Sequence, residues 1–131
     1  MEQNNQLPNK EPTLRVVPRP LDTNPNGDIF GGWVMSQADI AGSIVAFQRA
    51  RGKVVTIAVK EFVFKKPIFI GDVVSFYAEL IHVGRTSMTI DVQVYAQRRS
   101  SIETCVKVTE GTFTYVAIDD NHEPRVVPVE G

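Results

Sequence analysis

Apolar and polar positions alternate most regularly after Gly84: Met88, Ile90, Val92, Val94 and Ala96 are separated by Thr89, Asp91, Gln93 and Tyr95. A period of two predicts a strand with one buried face. Val73 to Val83 reads as the strand before it, ending at Gly84, and Lys53 to Phe64, rich in valine, as another that runs until Lys65-Lys66-Pro67. Gly71-Asp72 marks the turn between those two. Thr104 to Ile118 is the last strand; Val106 and Val108 lie on even positions but Phe113 and Tyr115 on odd ones, which predicts a bulge at Gly111. A short first strand, Leu14 to Val17, is cut off by Pro18 and Pro20.

Between the first two strands the period changes. A helix of about five turns is read to begin at the Gly31-Gly32 pair, with Gly52 as its stop and the cations Arg49 and Arg51 suited to its C-terminus. One long helix followed by long strands predicts an α+β domain, an antiparallel sheet wrapped around a central helix. Gly32, Ser36, Asp39 and Ser43 recur on one helix face at spacings of three and four. Small residues there admit a close neighbour, and a second copy of the chain is the simplest one. Residues 1–13 are polar, carry two prolines and show no period, so they read as a flexible arm; 14–118 form the domain and 119–131 a polar tail.

Composition narrows the class. At 131 residues the chain has the size of one domain, and its net charge of −1 with scattered Lys and Arg argues against nucleic acid as a partner. Residues 29–48 are too polar for a membrane span, with three glycines, two serines, two glutamines and Asp39. A single cysteine, Cys105, and a start without a basic n-region or apolar core predict a cytoplasmic setting; Cys105 itself reads as a small apolar filler.

The chemistry concentrates before and within the helix. Asp39 is the one charged side chain between Asp28 and Arg49. An isolated carboxylate is costly to bury, so Asp39 is either a catalytic group or a paired structural anion. Upstream, Asp22-Thr23-Asn24-Pro25-Asn26-Gly27-Asp28 is a turn-rich loop leading to Gly31-Gly32, where a bare helix start would offer free N–H groups to an oxyanion. From its neighbours alone, Asn24 reads equally as a turn former and nothing more. Gly84-Arg85-Thr86-Ser87 places a guanidinium and two hydroxyls in a turn, suited to phosphate, though Arg85 reads equally as a solvated turn residue. His82 and His122 are far apart with no ligand cluster, so no metal is expected, and no G-x-S-x-G, P-loop or dinucleotide fingerprint occurs.

The loop from Asp22 to Trp33, then Met35-Ser36-Gln37 with Asp39, Pro67 with Gly71-Asp72-Val73-Val74, and Val83-Gly84-Arg85 together resemble the hotdog-fold acyl-CoA thioesterases, most closely the small bacterial acyl-CoA hydrolases of the YciA type. The resemblance covers about residues 14–129, and its specific part is the Asn-to-Gly-Gly loop with an Asp seven residues beyond the second glycine. It implies hydrolysis of acyl-CoA to CoA and a carboxylic acid, with no cofactor. Asp39 would be general base or nucleophile, Asn24 would place the thioester or water, and Gly32 or the adjacent Trp33 would supply the oxyanion donor. Thr56 would line the acyl or pantetheine channel, and Arg85, Thr86 and Ser87 would meet CoA. In such sites Asn and Asp can come from different subunits, so a homodimer is the implied minimal unit and a hexameric trimer of dimers the implied assembly. A non-catalytic acyl-CoA binding or sensing module on the same fold is the rival reading. The helix lacks the histidine that hotdog dehydratases use.

Overall fold

A computed structural model describes residues 5–101 and 103–130. The chain runs β1 (Leu14–Val16), a single 3₁₀ turn (Pro20–Asp22), α1 (Gly31–Ala50), β2 (Val54–Lys60), β3 (Val73–Val83), β4 (Ser87–Gln97) and β5 (Cys105–Ala117). Every strand pairing is antiparallel, in the spatial order β1-β3-β4-β5-β2, and the sheet curls around α1 in the hotdog arrangement.

The helix is not buried all round. Val34, Ala38, Ala41, Ala46 and Ala50 form its inner stripe, and their small side chains let it lie close against Phe76 of β3, Ile90 and Val92 of β4 and Phe113 of β5. Gly32, Met35, Ser36, Ile40 and Phe47 face outward. Its C-terminal turn is made by Arg51, in the left-handed conformation at φ 55°, one residue before the expected Gly52 stop.

In β4 the alternation holds, with Met88, Ile90, Val92 and Val94 buried on the helix side. β2 ends four residues earlier than its apolar pattern suggests, because Glu61 takes a left-handed backbone conformation at φ 58°. The chain then crosses over, with Phe62 edge-on to Phe64 and to Phe113 and the Lys65 N–H donated to the Val108 carbonyl. β5 does switch register, but at Val108–Thr109 rather than at Gly111: Val94 pairs Thr109 while Tyr95 pairs Lys107. Gly111 serves close approach instead, since any Cβ on it would strike the Phe62 ring.

Both ends of the domain are tied down. Residues 5–13 lie along the outer face of the sheet, where Asn5 bonds β5 at Cys105 and Lys107, Thr13 bonds β3, and Leu7 packs on Tyr77, Tyr95 and Cys105. Beyond β5 a turn at Asp119–Glu123 returns the chain so that Arg125 donates to the Ile118 and Ala50 carbonyls and Arg49 to that of Pro128. Among the described residues no helix is long and apolar enough to cross a membrane.

Candidate active site

The loop before the helix is organised by Asn24. Its Oδ1 accepts from the N–H groups of Asn26 (2.9 Å) and Asp28 (3.1 Å), and its own N–H donates to the Asp28 carbonyl. The turn-forming reading is therefore real, but it occupies only one end of the amide: Nδ2 has no acceptor among the described residues. The loop is fixed to the chain before β3, where the Ile29 N–H donates to the Ile68 carbonyl and Asp28 bridges Phe69.

Phe30 precedes the helix and cannot cap it with a side chain. Its carbonyl takes the N–H groups of Trp33 (3.1 Å) and Val34. Trp33 is thus committed, and of the two expected oxyanion donors Gly32 remains: its N–H has no acceptor among the described residues, and a Cβ placed there would meet nothing within 4 Å. A free N–H at the positive end of a helix dipole is a ready site for a developing negative charge. Beside it a cavity of about 380 Å³ is lined by Asn24, Asp28, Gly31, Phe64, Lys66 and Pro67.

Asp39 lies two turns along α1, half-buried in the seam between the helix and the β2–β5 edge of the sheet. Its Oδ1 accepts from Thr56 Oγ1 at 2.6 Å, and Tyr115 Oη stands 2.9 Å from the same oxygen and 2.8 Å from the Asp39 carbonyl oxygen. Thr56 and Tyr115 are direct cross-strand partners, so both project to the helix side; the bulge that follows Thr56 then breaks the ladder. Burial, followed by the neighbouring Asp39 charge and its hydrogen bond, pushes the Tyr115 phenol well above the ordinary tyrosine range. It stays a protonated donor. Thr56 thus donates to Asp39, a contact that the channel lining expected of it did not include. That link was missed, as was Tyr115 altogether, because threonine and tyrosine are ordinary strand residues.

One turn beyond Asp39 a larger cavity of about 610 Å³ opens, lined by Ser43, Ile44, Phe47, Val54, Val55 and Ile118 among others. Its walls are largely apolar. Gly84, Arg85 and Thr86 make the β3–β4 turn and Ser87 opens β4: the Arg85 and Thr86 carbonyls accept from Val127 and Ala117, and Arg85 is exposed. The turn does not join the Asp39 cradle, and neither does Asn24, which lines the other cavity.

The Pro67-x-x-x-Gly71-Asp72 turn has a structural basis. Asp72 Oδ2 accepts from the Phe69 N–H and from Arg98 Nη1 at 2.6 Å, both side chains being buried, and Arg98 reaches the Pro67 carbonyl and lies over the Phe69 ring. Arg98 was not singled out in the sequence. Cys105 is buried with Tyr77 and Tyr95 on the outer face, away from the seam, and burial raises its thiol pKa. His82 is exposed near the end of β3 and His122 lies in the turn after β5, and among the described residues no group of side chains could hold a metal ion.

These pieces can do acyl-transfer chemistry on a thioester: a fixed carboxylate, a free helix-start N–H, an unspent amide and an apolar cavity. The comparisons agree with that reading. A family model for the thioesterase superfamily matches residues 26–103. The acyl-CoA thioester hydrolase YciA of Escherichia coli (strain K12) is 44% identical over 132 residues, covering 99% of this chain and 100% of that one. A hexameric thioesterase from Yersinia pestis has 50% identity and a TM-score of 0.88, over 94% of this chain and 100% of that chain. A hexameric hotdog fold thioesterase of Campylobacter jejuni has 42% identity and a TM-score of 0.86, over 91% of each. With a backbone and a sequence shared over nearly its whole length, this chain belongs to the thioesterase superfamily and carries its hotdog fold.

Proposed function

We propose that the protein is an acyl-CoA thioester hydrolase whose active site is completed between two copies of the chain. The observation that carries the reading is the Asp39 carboxylate, fixed through Oδ1 by Thr56 and Tyr115 in a seam left open by its own chain. The similarity to the acyl-CoA hydrolase of Escherichia coli supports the substrate class.

Asp39 takes a proton from water as the water oxygen attacks the thioester carbon, or attacks that carbon itself to form an anhydride that water then opens. In either route the C–S electrons leave with the CoA thiolate. The tetrahedral oxygen is stabilised by the Gly32 N–H, and Asn24 Nδ2 donates to the thioester or the water. One such donor is worth about 10²–10³ in rate. No cofactor enters this scheme.

Spacing argues for two copies. Gly32 and Asp39 are seven residues apart on one helix, about 10 Å along its axis. A donor lies within about 3 Å of the oxyanion and a base at most one water from the carbon, so the separation favours a Gly32 and an Asn24 supplied by a second protomer. The surface suits that arrangement: β2 is an edge strand on which Val55, Ile57 and Val59 are exposed, next to the outward Ile40 and Phe47 of α1. The proposed minimal unit is a homodimer, and the proposed assembly a trimer of dimers, as in the hexameric relatives. The exposed Arg85 turn, with Thr86 and Ser87, is proposed to meet the CoA phosphates, and the large apolar cavity the acyl chain. A single cysteine, buried in the sheet, suits a cytoplasmic setting.

Release of free thiol from short- to long-chain acyl-CoAs, compared between wild type and Asp39→Asn at matched oligomeric state, tests the function. The wild type should turn over, and the variant should lose about 10²–10⁴-fold in kcat. Binding of acyl-CoA without thiol release would replace the hydrolase by a sensing module.

A further inference from the structure

Tyr115 is fully buried and its ring is well accounted for without the hydroxyl: it stacks on Phe113 at 6.3 Å and 14°. A buried phenol needs a partner, and Oη lies 2.8 Å from the Asp39 carbonyl oxygen and 2.9 Å from Asp39 Oδ1, with the Thr56 hydroxyl also in reach. Room for that contact is made one turn further along the helix. Gly42 faces Tyr115 so closely that a Cβ there would overlap the hydroxyl. Thr56, directly across the ladder from Tyr115, gives the second donor to the same carboxylate oxygen.

We propose that Tyr115 and Thr56 are positioning residues for the reaction: together they hold Asp39 by Oδ1 and leave Oδ2 as the oxygen that meets water or the thioester. The inference rests on the hydrolase reading above. A carboxylate held by two donors on one oxygen cannot rotate freely about its last torsion. Gly42 belongs to the same device, since it admits the hydroxyl that does the holding.

The test uses Tyr115→Phe, Thr56→Val and Thr56→Ser in the full-length assembled enzyme, with kcat and KM measured separately on one acyl-CoA and Asp39→Asn as the inactive reference. Misplacing a reacting group by an ångström costs about 10²-fold, so Tyr115→Phe and Thr56→Val should each lower kcat by up to that factor while KM stays within about twofold. Thr56→Ser, which restores a hydroxyl, should recover near-wild-type kcat. Should Tyr115→Phe fail to fold, the Thr56 pair still decides, because Thr56 lies on an exposed edge strand. Unchanged kcat in Tyr115→Phe and Thr56→Val beside an inactive Asp39→Asn would overturn this inference alone, as would a loss confined to KM. An inactive wild type would overturn the hydrolase reading and this inference with it.

Discussion

Asn24 shows how one side chain can form a turn and still keep a donor to spare. Its Oδ1 is spent on the Asn26 and Asp28 N–H groups, whereas its Nδ2 is left over. Asn24→Asp keeps the acceptor and removes the donor, so it should preserve the turn and thermal stability yet reduce kcat by about 10–10²-fold. Asn24→Ala should lose both. Thermal melts run beside turnover measurements separate the two effects, and an active Asn24→Asp would confine Asn24 to the turn. At this scale the sequence exposed some groups and hid others. Asp39 was legible because no other charge lies between Asp28 and Arg49. Tyr115 and the link from Thr56 to Asp39 were not, because what distinguishes them is a meeting of residues 17 and 76 positions away from Asp39 along the chain, produced by the pairing of β2 with β5.

Elements were read from periodicity, and they were read well where one face is buried and the other is not, as in β4. The reading weakened where the chain remains apolar after the ladder ends. Val63 and Phe64 continue the pattern of β2, yet Glu61 has already turned the backbone away, and Phe62 is held by Phe113 over the bare Gly111. The register switch in β5 was visible as a change of parity, but its place was not, because a bulge needs no glycine. Likewise Asp72 was seen as part of a turn, while its partner Arg98 is 26 residues on, at the far end of β4. Arg98→Met should lower the unfolding free energy by about 3–5 kcal/mol, since it leaves Asp72 as a buried charge without its cation. Denaturation of the assembled protein at fixed concentration measures this; a cost below about 1 kcal/mol would mean that the pair is dispensable to the turn.

For the whole molecule, the antiparallel sheet and the single central helix followed from the sequence, the strand order did not, and the surface proposed to complete the site could be inferred only as a stripe of small residues. The structure adds larger ones: Ile57 at 58% and Phe47 at 54% exposure flank the Asp39 seam. Ile57→Lys places a charge on the edge strand where the proposed partner docks. It should dissociate the assembly, seen as a lower mass by light scattering, and abolish turnover while leaving the monomer folded. An intact assembly would put the interface elsewhere.

The most direct test of a site shared between copies is complementation. Asn24→Ala and Asp39→Ala proteins, each expected to be strongly impaired, carry opposite halves of the proposed site. Co-assembled at random through the proposed two-fold, they should recover about a quarter of wild-type turnover, since half the dimers are mixed and each has one intact site of two. If tagged pull-downs show mixed assemblies and thiol release stays at the level of the separate variants, the active site is not built from Asp39 of one protomer and Asn24 of its partner.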